Sequence, residues 1–439
     1  MQLVLRHPPI ETVKTSSDRD NLFSRLYKTA FDIILYTLIL STILALLPSH
    51  LFVNFPLEPK SHVLNIPDKV DNWNNLLVEK SEFLLNGVIV GPESLANKDD
   101  FIYTGLADGR LVEINKKTLK TRDIARFGTK LLCGKEDMAD CGRVLGVRFH
   151  RDNYLYAVDY VNGLFRVNVT TGAKELIDFK NPEINGFYDD LAFDPKLNIV
   201  YVSIMTAKWQ LNQVIYGLLD SDETGYVFAY NLDTKRSTIL RTGLKFVNGL
   251  QISADNKYLL AAETLGFKIS KISLQTIHKA IKANRKLTDN EWETFATLPG
   301  EPDNIRLDPN GDITVGMFAV RHNGKVTFDY LSTWPLIRKA IGRTAYVLSL
   351  AISAINDNTI GSNSLKSIAF ELYTGQTLGK YLPTTGSAIR LDGKTGQIKQ
   401  ILGSDKFNGV TEVLIDEEGD LYFGSFHSPF LGRLKKGNF

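Results

Sequence analysis

GEPDNIRLDPNGDITVGM, residues 300–317, reads as two short strands joined by a polar turn. Ile305–Leu307 and Ile313–Val315 supply the strand runs, and DPNGD between them holds the residues that tight turns demand. The odd feature is Asp303–Asn304, directly ahead of the first strand. Both residue types are poor strand formers. Either they shape a local turn, or they serve something shared with the rest of the chain.

The same pattern recurs. ESLANKDDFIYTG (93–105), LGVRFHRDNYLYAV (145–158), DDLAFDPKLNIVYVS (189–203), NGLQISADNKYLLAA (248–262) and TEVLIDEEGDLYFG (411–424) each give a strand, a polar turn and a second strand. Gly-led third strands, GRLVEI, GLFRV and GYVFAYN, follow the first three copies. Copies are usually spaced by about 45–60 residues, room for a four-stranded blade and its loops. Six such units predict an all-β fold, a six-bladed β-propeller over residues 81–439, because radial closure removes exposed sheet edges. The interval after the fifth copy is nearly double, which places an insertion between Met317 and about residue 385.

Composition fits an ordinary globular protein of 439 residues, with 44% hydrophobic and 23% charged side chains. A formal charge of +2, with no large Lys/Arg cluster, gives no reason to invoke nucleic acid. Residues 29–47, TAFDIILYTLILSTILALL, are apolar apart from Asp32 and suit one membrane-spanning helix. Arg19, Arg25 and Lys28 precede the run, so the positive-inside rule puts residues 1–28 in the cytosol. The expectation is a single-pass type II anchor in the endoplasmic reticulum or plasma membrane, with residues 48–80 as a lumenal linker and the propeller lumenal or extracellular. A cleaved signal peptide is the competing reading, against which stands the lack of an A-x-A site.

Two features fit that compartment. Asn168-Val169-Thr170 is an N-glycosylation sequon between strand-like runs. Cys133 and Cys141, the only cysteines, flank a polar loop. A disulfide there would contribute about 2.5 kcal/mol on the chain-entropy model. Unpaired thiols are the alternative.

Aligning the copies places Glu93, Leu145, Asp189, Asn248, Asp303 and Thr411 in one column, and Ser94, Gly146, Asp190, Gly249, Asn304 and Glu412 in the next. In a propeller these columns converge on the axis. Carboxylates and amide oxygens gathered there call for a cation, and Ca²⁺ accepts that ligand set. Turn capping by each Asp or Asn separately is the alternative.

With the repeat laid out, the chain resembles the strictosidine synthase-like family. The marks are GPESLA, LYAVDYVNGLFRV, NGFYDDLAFD, FVNGLQISADNKYLLAAET, PGEPDNIRLDPNGD and LYFGSFHSPFLGRL, running from about residue 55 to the C-terminus. The resemblance implies a six-bladed propeller. The wider superfamily includes paraoxonases and gluconolactonases, which hydrolyse esters or lactones with Ca²⁺, and their ligands are similar in position to Glu93, Asp189, Asn248, Asp303 and Asn304. The acid/base glutamate of strictosidine synthase corresponds to Glu412. The paraoxonase histidine pair corresponds to Leu145 and the neighbourhood of Tyr160, so that pair is missing. Glu412, Asp190 and His427 are the general-base candidates left.

Residues 331–355, LSTWPLIRKAIGRTAYVLSLAISAI, read as a helix in which Arg338, Lys339 and Arg343 form a basic amphipathic surface. It either lies on a membrane, covers the site, or packs on the propeller's side. Two functions follow as expectations: a membrane-anchored, calcium-dependent hydrolase of small lipophilic esters or lactones, or a non-catalytic propeller acting as receptor or adhesion module with a structural calcium.

Overall fold

The computed structural model describes residues 16–64, 66–67, 69–128, 141–382, 385–407 and 409–439. Six four-stranded antiparallel sheets form a six-bladed propeller. Their innermost strands are Leu95–Lys98, Val144–Phe149, Phe187–Phe193, Val247–Ile252, Gly300–Leu307 and Val410–Ile415, which define blades 1 to 6. Blade 6 has only three strands from its own stretch of chain. Its outermost strand is Glu82–Leu84, paired with Leu431–Leu434, so the start of the propeller closes the ring on its end. That pairing supplies the fourth strand of blade 6 from the opposite end of the propeller's chain.

Local chemistry sets the elements. The second strands, such as Ile199–Thr206 (IVYVSIMT), are rich in β-branched and aromatic residues and wholly buried between neighbouring blades. The DPNGD stretch is the turn it promised: Asp308 Oδ1 accepts from the Asn310 and Asp312 amides at 2.8 and 2.9 Å, and Gly311 takes φ +84°. Asp194 and Asp416 build the matching turns in blades 3 and 6. Turn-making therefore belongs to Asp308 and its equivalents, five positions after Asp303.

Outside the blades, helix α1 (Ser16–Leu46) contains a 23-residue stretch, Ser24–Leu46, long and apolar enough to cross a membrane by length and composition. It starts earlier than the expected 29–47 run. Residues 48–80 do not dangle: Phe55, Leu57 and Leu77 are fully buried against the propeller side of the molecule. The insertion lies between the second and third strands of blade 5 and is helical, as expected. With helix α2 (Val214–Asp220), the insertion's helices α3 (Pro335–Ile355) and α4 (Asn363–Thr374) form a cap. Phe55, Leu219 and Tyr346 join Leu145, Tyr160, Phe187 and Phe246 in one apolar cluster that fastens cap to propeller.

Candidate functional site on the propeller axis

Five of the six inner strands break their pairing where the aligned columns fall. Register shifts occur at Val144/Gly146, Tyr188/Leu191, Val247/Leu250, Pro302/Ile305 and Val410/Glu412. A β-bulge leaves its extra residue unpaired and re-aims the side chain. Here the residues re-aimed are Asp189–Asp190, Asn248–Gly249, Asp303–Asn304 and Thr411, and in blade 1 Glu93–Ser94 precede the strand. Glycine permits the crowding. A Cβ on Gly249 would lie 2.6 Å from Asn304 Cα, and one on Gly146 would lie 2.7 Å from the Asp189 carbonyl oxygen.

The structure brings the five expected ligands together. Glu93, Asp189, Asn248, Asp303 and Asn304 are all buried. Asn304 Nδ2 donates to Glu93 Oε1 at 3.1 Å, and Thr411 Oγ1 donates to the Glu93 carbonyl at 2.8 Å. Glu93 Oε2, Asp189 Oδ2, Asn248 Oδ1, Asp303 Oδ1 and Asn304 Oδ1 are buried oxygens without a hydrogen-bond partner. Unsatisfied buried acceptors are costly, and five gathered from four blades suit a cation. Burial pushes the Glu93, Asp189 and Asp303 carboxyls well above the ordinary range. For Glu93 the charges of Asp303 and Asp189 add to it, and for Asp189 those of Asp303 and Asp190. For Asp303 a hydrogen bond from Asn248 opposes the rise, while Glu412 and Asp190 reinforce it. These residues fit a hard, oxygen-seeking cation. Acidic, His and Cys side chains alone make no ligand group of three among the described residues, so the fit depends on the two amides.

One layer away, Asp190 and Glu412 are in different company. Asp190 Oδ2 accepts from Arg148 and Arg306 at 3.1 Å each and from the Leu250 amide at 2.9 Å. Glu412 Oε2 pairs with Arg306 and accepts from Ser94 Oγ at 3.2 Å and the Leu95 amide at 3.3 Å. Burial raises the Glu412 pKa while Arg306 and Arg148 oppose the rise. One oxygen of each carboxylate is thus engaged by a guanidinium, while Asp190 Oδ1 and Glu412 Oε1 are buried without a hydrogen-bond partner. His427 stands in the loop after Leu421–Ser425, where partial desolvation of the imidazole and then the charge of Arg143 hold it below the ordinary value. Leu145 and Tyr160 lie in the apolar cap cluster, with no base there.

Sequence reading missed Arg148 and Arg306. Both stand in one further column of the repeat, the residue after the first strand hydrophobe, opposite the two acidic residues that are extra to the ligand set. Together five carboxylates (Glu93, Asp189, Asp190, Asp303, Glu412) meet the guanidiniums of Arg148 and Arg306, with buried Arg143 beside Glu93. With all five carboxylates ionised the excess would be two negative charges, the complement of one divalent cation. Elsewhere, Ser221 Oγ lies 2.8 Å from His62 Nδ1 and accepts from Arg338 at 2.5 Å, contacts that tie the 60–62 segment to the cap. Cys133, and with it the expected bond to Cys141, lies outside the described residues. Asn168 forms an Asx turn, accepting from the Thr170 and Thr171 amides at 3.0 and 3.1 Å.

The six-bladed propeller defines the class of fold, and comparisons with known proteins place the chain in a family. Residues 189–276 match the strictosidine synthase family and residues 74–114 the strictosidine synthase-like N-terminal family. The adipocyte plasma membrane-associated protein of Salmo salar is 30% identical over 98% of this chain and 96% of its own length. Strictosidine synthase-like 2 of Arabidopsis thaliana is 29% identical over 79% of this chain and 87% of its own. A solved luciferin-regenerating enzyme superposes with a TM-score of 0.50 at 12% identity, covering 81% of this chain and 95% of that one, a likeness of fold. The chain belongs to the strictosidine synthase-like family, together with the adipocyte plasma membrane-associated proteins.

Proposed function

We propose that this protein is a membrane-anchored, calcium-binding hydrolase of small lipophilic esters or lactones, with α1 as a type II anchor and the propeller in the lumen of the endoplasmic reticulum or outside the cell. The carrying observation is the set of five orphaned, buried oxygens on the axis. Glu93, Asp189, Asn248, Asp303 and Asn304 would hold the ion. Calcium bound there supplies a Lewis acid that polarises a carbonyl and acidifies water. The chain's own residues do the rest: Arg148 and Arg306 fix Asp190 and Glu412, and Ser94 braces the layer by accepting from Arg306 at 2.9 Å and from the Val147 amide at 3.2 Å. The sequon at Asn168 and the cysteine pair fit the same compartment.

A second reading has its own support. Asp190 and Glu412 each engage a guanidinium through one oxygen, a bracing role that favours a non-catalytic receptor or adhesion propeller with a structural calcium. One experiment separates them. Full-length protein is assayed on phenyl acetate and a lactone panel, with calcium and with chelator, beside Asp303→Ala, while thermal unfolding reports calcium binding. Turnover lost with chelator and with Asp303→Ala supports the hydrolase. A calcium-dependent thermal shift without turnover supports the second reading, and no shift at all removes the calcium.

A further inference from the structure

Helix α3 is built inside out. Its buried face carries Arg338, Gly342, Arg343, Tyr346 and Ser349, the two arginines 2% and 0% exposed. Its outward face carries Leu336, Leu348, Leu350 and Ile355, which are 52%, 41%, 48% and 55% exposed, with Ile337 beside them and Trp334 just ahead. The basic amphipathic surface expected from the sequence is thereby corrected: two of its three charges point inward. They have good reason to. Arg338 donates to the Leu219 carbonyl at 2.8 Å and the Ser332 carbonyl at 3.1 Å. Arg343 donates to the Leu44 and Leu47 carbonyls at 2.9 and 2.7 Å, at the C-terminal end of α1, and to Glu58 at 2.8 Å. Those carbonyls have no partner further along the helix, and a buried cation satisfies them.

In water the apolar stripe of a surface helix faces the core and its charges face out. The reverse arrangement calls for an apolar medium outside. Helix α1 names it. Thr344 Oγ1 donates to Ser41 Oγ at 2.9 Å, so α3 lies beside the last turns of α1. The exposed Leu38, Ile39, Ile43 and Leu46 of α1 stand at that same end, and Ile360, Ile368 and Tyr373 extend the apolar surface around α4. An apolar patch of this extent marks an interaction surface.

We propose that the outward face of α3, with Trp334 and the neighbouring residues of α4, docks on the bilayer that α1 enters, so the cap side of the propeller lies against lipid. The inference rests on reading α1 as the membrane helix, and it goes further by fixing how the propeller sits on the membrane. Arg343 is the clamp: one side chain joins anchor and cap.

The test is tryptophan quenching on the full-length protein in phosphatidylcholine vesicles, with lipids brominated near the headgroup or unbrominated. Of the four tryptophans, Trp209 and Trp292 are buried and Trp73 is half-buried, stacked on His322, whereas Trp334 is 58% exposed. Brominated lipid is expected to quench wild type, to quench Trp334→Phe markedly less, and to quench again when Leu348→Trp is added to that variant. Equal quenching of wild type and Trp334→Phe would overturn the proposal, as would quenching of Trp334 by aqueous iodide. Shielding from both lipid and iodide would overturn it too, in favour of a protein partner or second copy. Failure of α1 to span is read separately: alkaline carbonate would then extract the chain from vesicles.

Discussion

Arg306 of blade 5 reaches Asp190 of blade 3, Nη1 to Oδ2 at 3.1 Å, with both side chains sealed from solvent. The same guanidinium bonds Ser94 of blade 1 and pairs with Glu412 of blade 6. One side chain therefore ties four blades at the axis, and Arg148 of blade 2 adds a second hold on Asp190. Buried ion pairs are weak net stabilisers, because desolvation offsets most of their attraction. Removing one partner alone is costly.

Arg306→Met is accordingly expected to destabilise the protein by about 3–5 kcal/mol, since two buried carboxylates lose their main countercharge. Thermal unfolding of the full chain measures it. Adding Asp190→Asn and Glu412→Gln to the same background should recover much of the loss, because the uncompensated charges are then gone. If Arg306→Met unfolds like wild type, the network is not the brace described here.

The pH dependence follows from Glu93, Asp189 and Asp303. Their folded pKa values lie above the unfolded range of about 4. Between those limits the folded state binds more protons, so metal-free stability falls as pH rises from about 4 through the raised values. Calcium held by these groups would require them ionised and would relieve their repulsion. The gain in unfolding temperature on adding calcium should therefore be larger near roughly pH 8 than near roughly pH 5.5. A gain independent of pH would remove these carboxylates from the ligand set.

The propeller was legible because its repeat is local: each copy pairs strand, turn and strand within a few residues, and the turn Asp announces itself. The bulged positions were legible for a related reason, since a poor strand former at the same offset marks a bulge. Arg306 was less visible, because an arginine inside a strand usually reads as a solvated face. Only ring closure, which brings distant copies together, turns it toward Asp190 and Glu412. The cap was misread in polarity. Arg338 and Arg343 look like a basic surface until the carbonyl ends of α1 and α2, set by tertiary packing, appear beside them.

Gly249 tests whether the bulges, rather than the side chains alone, make the site. Its φ is not in the left-handed region, so a methyl group meets no backbone strain of its own. The obstacle is the neighbour: a Cβ would fall 2.6 Å from both Asn304 Cα and Ile305 N and 2.8 Å from the Asp303 carbonyl oxygen. Backbone atoms cannot swing aside as a flexible side chain would, so blade 5's inner strand must shift and carry Asp303 and Asn304 with it. A displacement of this kind in a packed interior costs on the order of 1–3 kcal/mol. Gly249→Ala should therefore lose stability and calcium affinity together, read by thermal unfolding and by calorimetric titration of the full-length protein. Gly146→Ala should do the same through blade 3, where the Cβ meets the Asp189 carbonyl oxygen and Asp190 Cα at 2.7 and 2.9 Å. Wild-type calcium affinity in both variants would show that the ion is held elsewhere than between these strands.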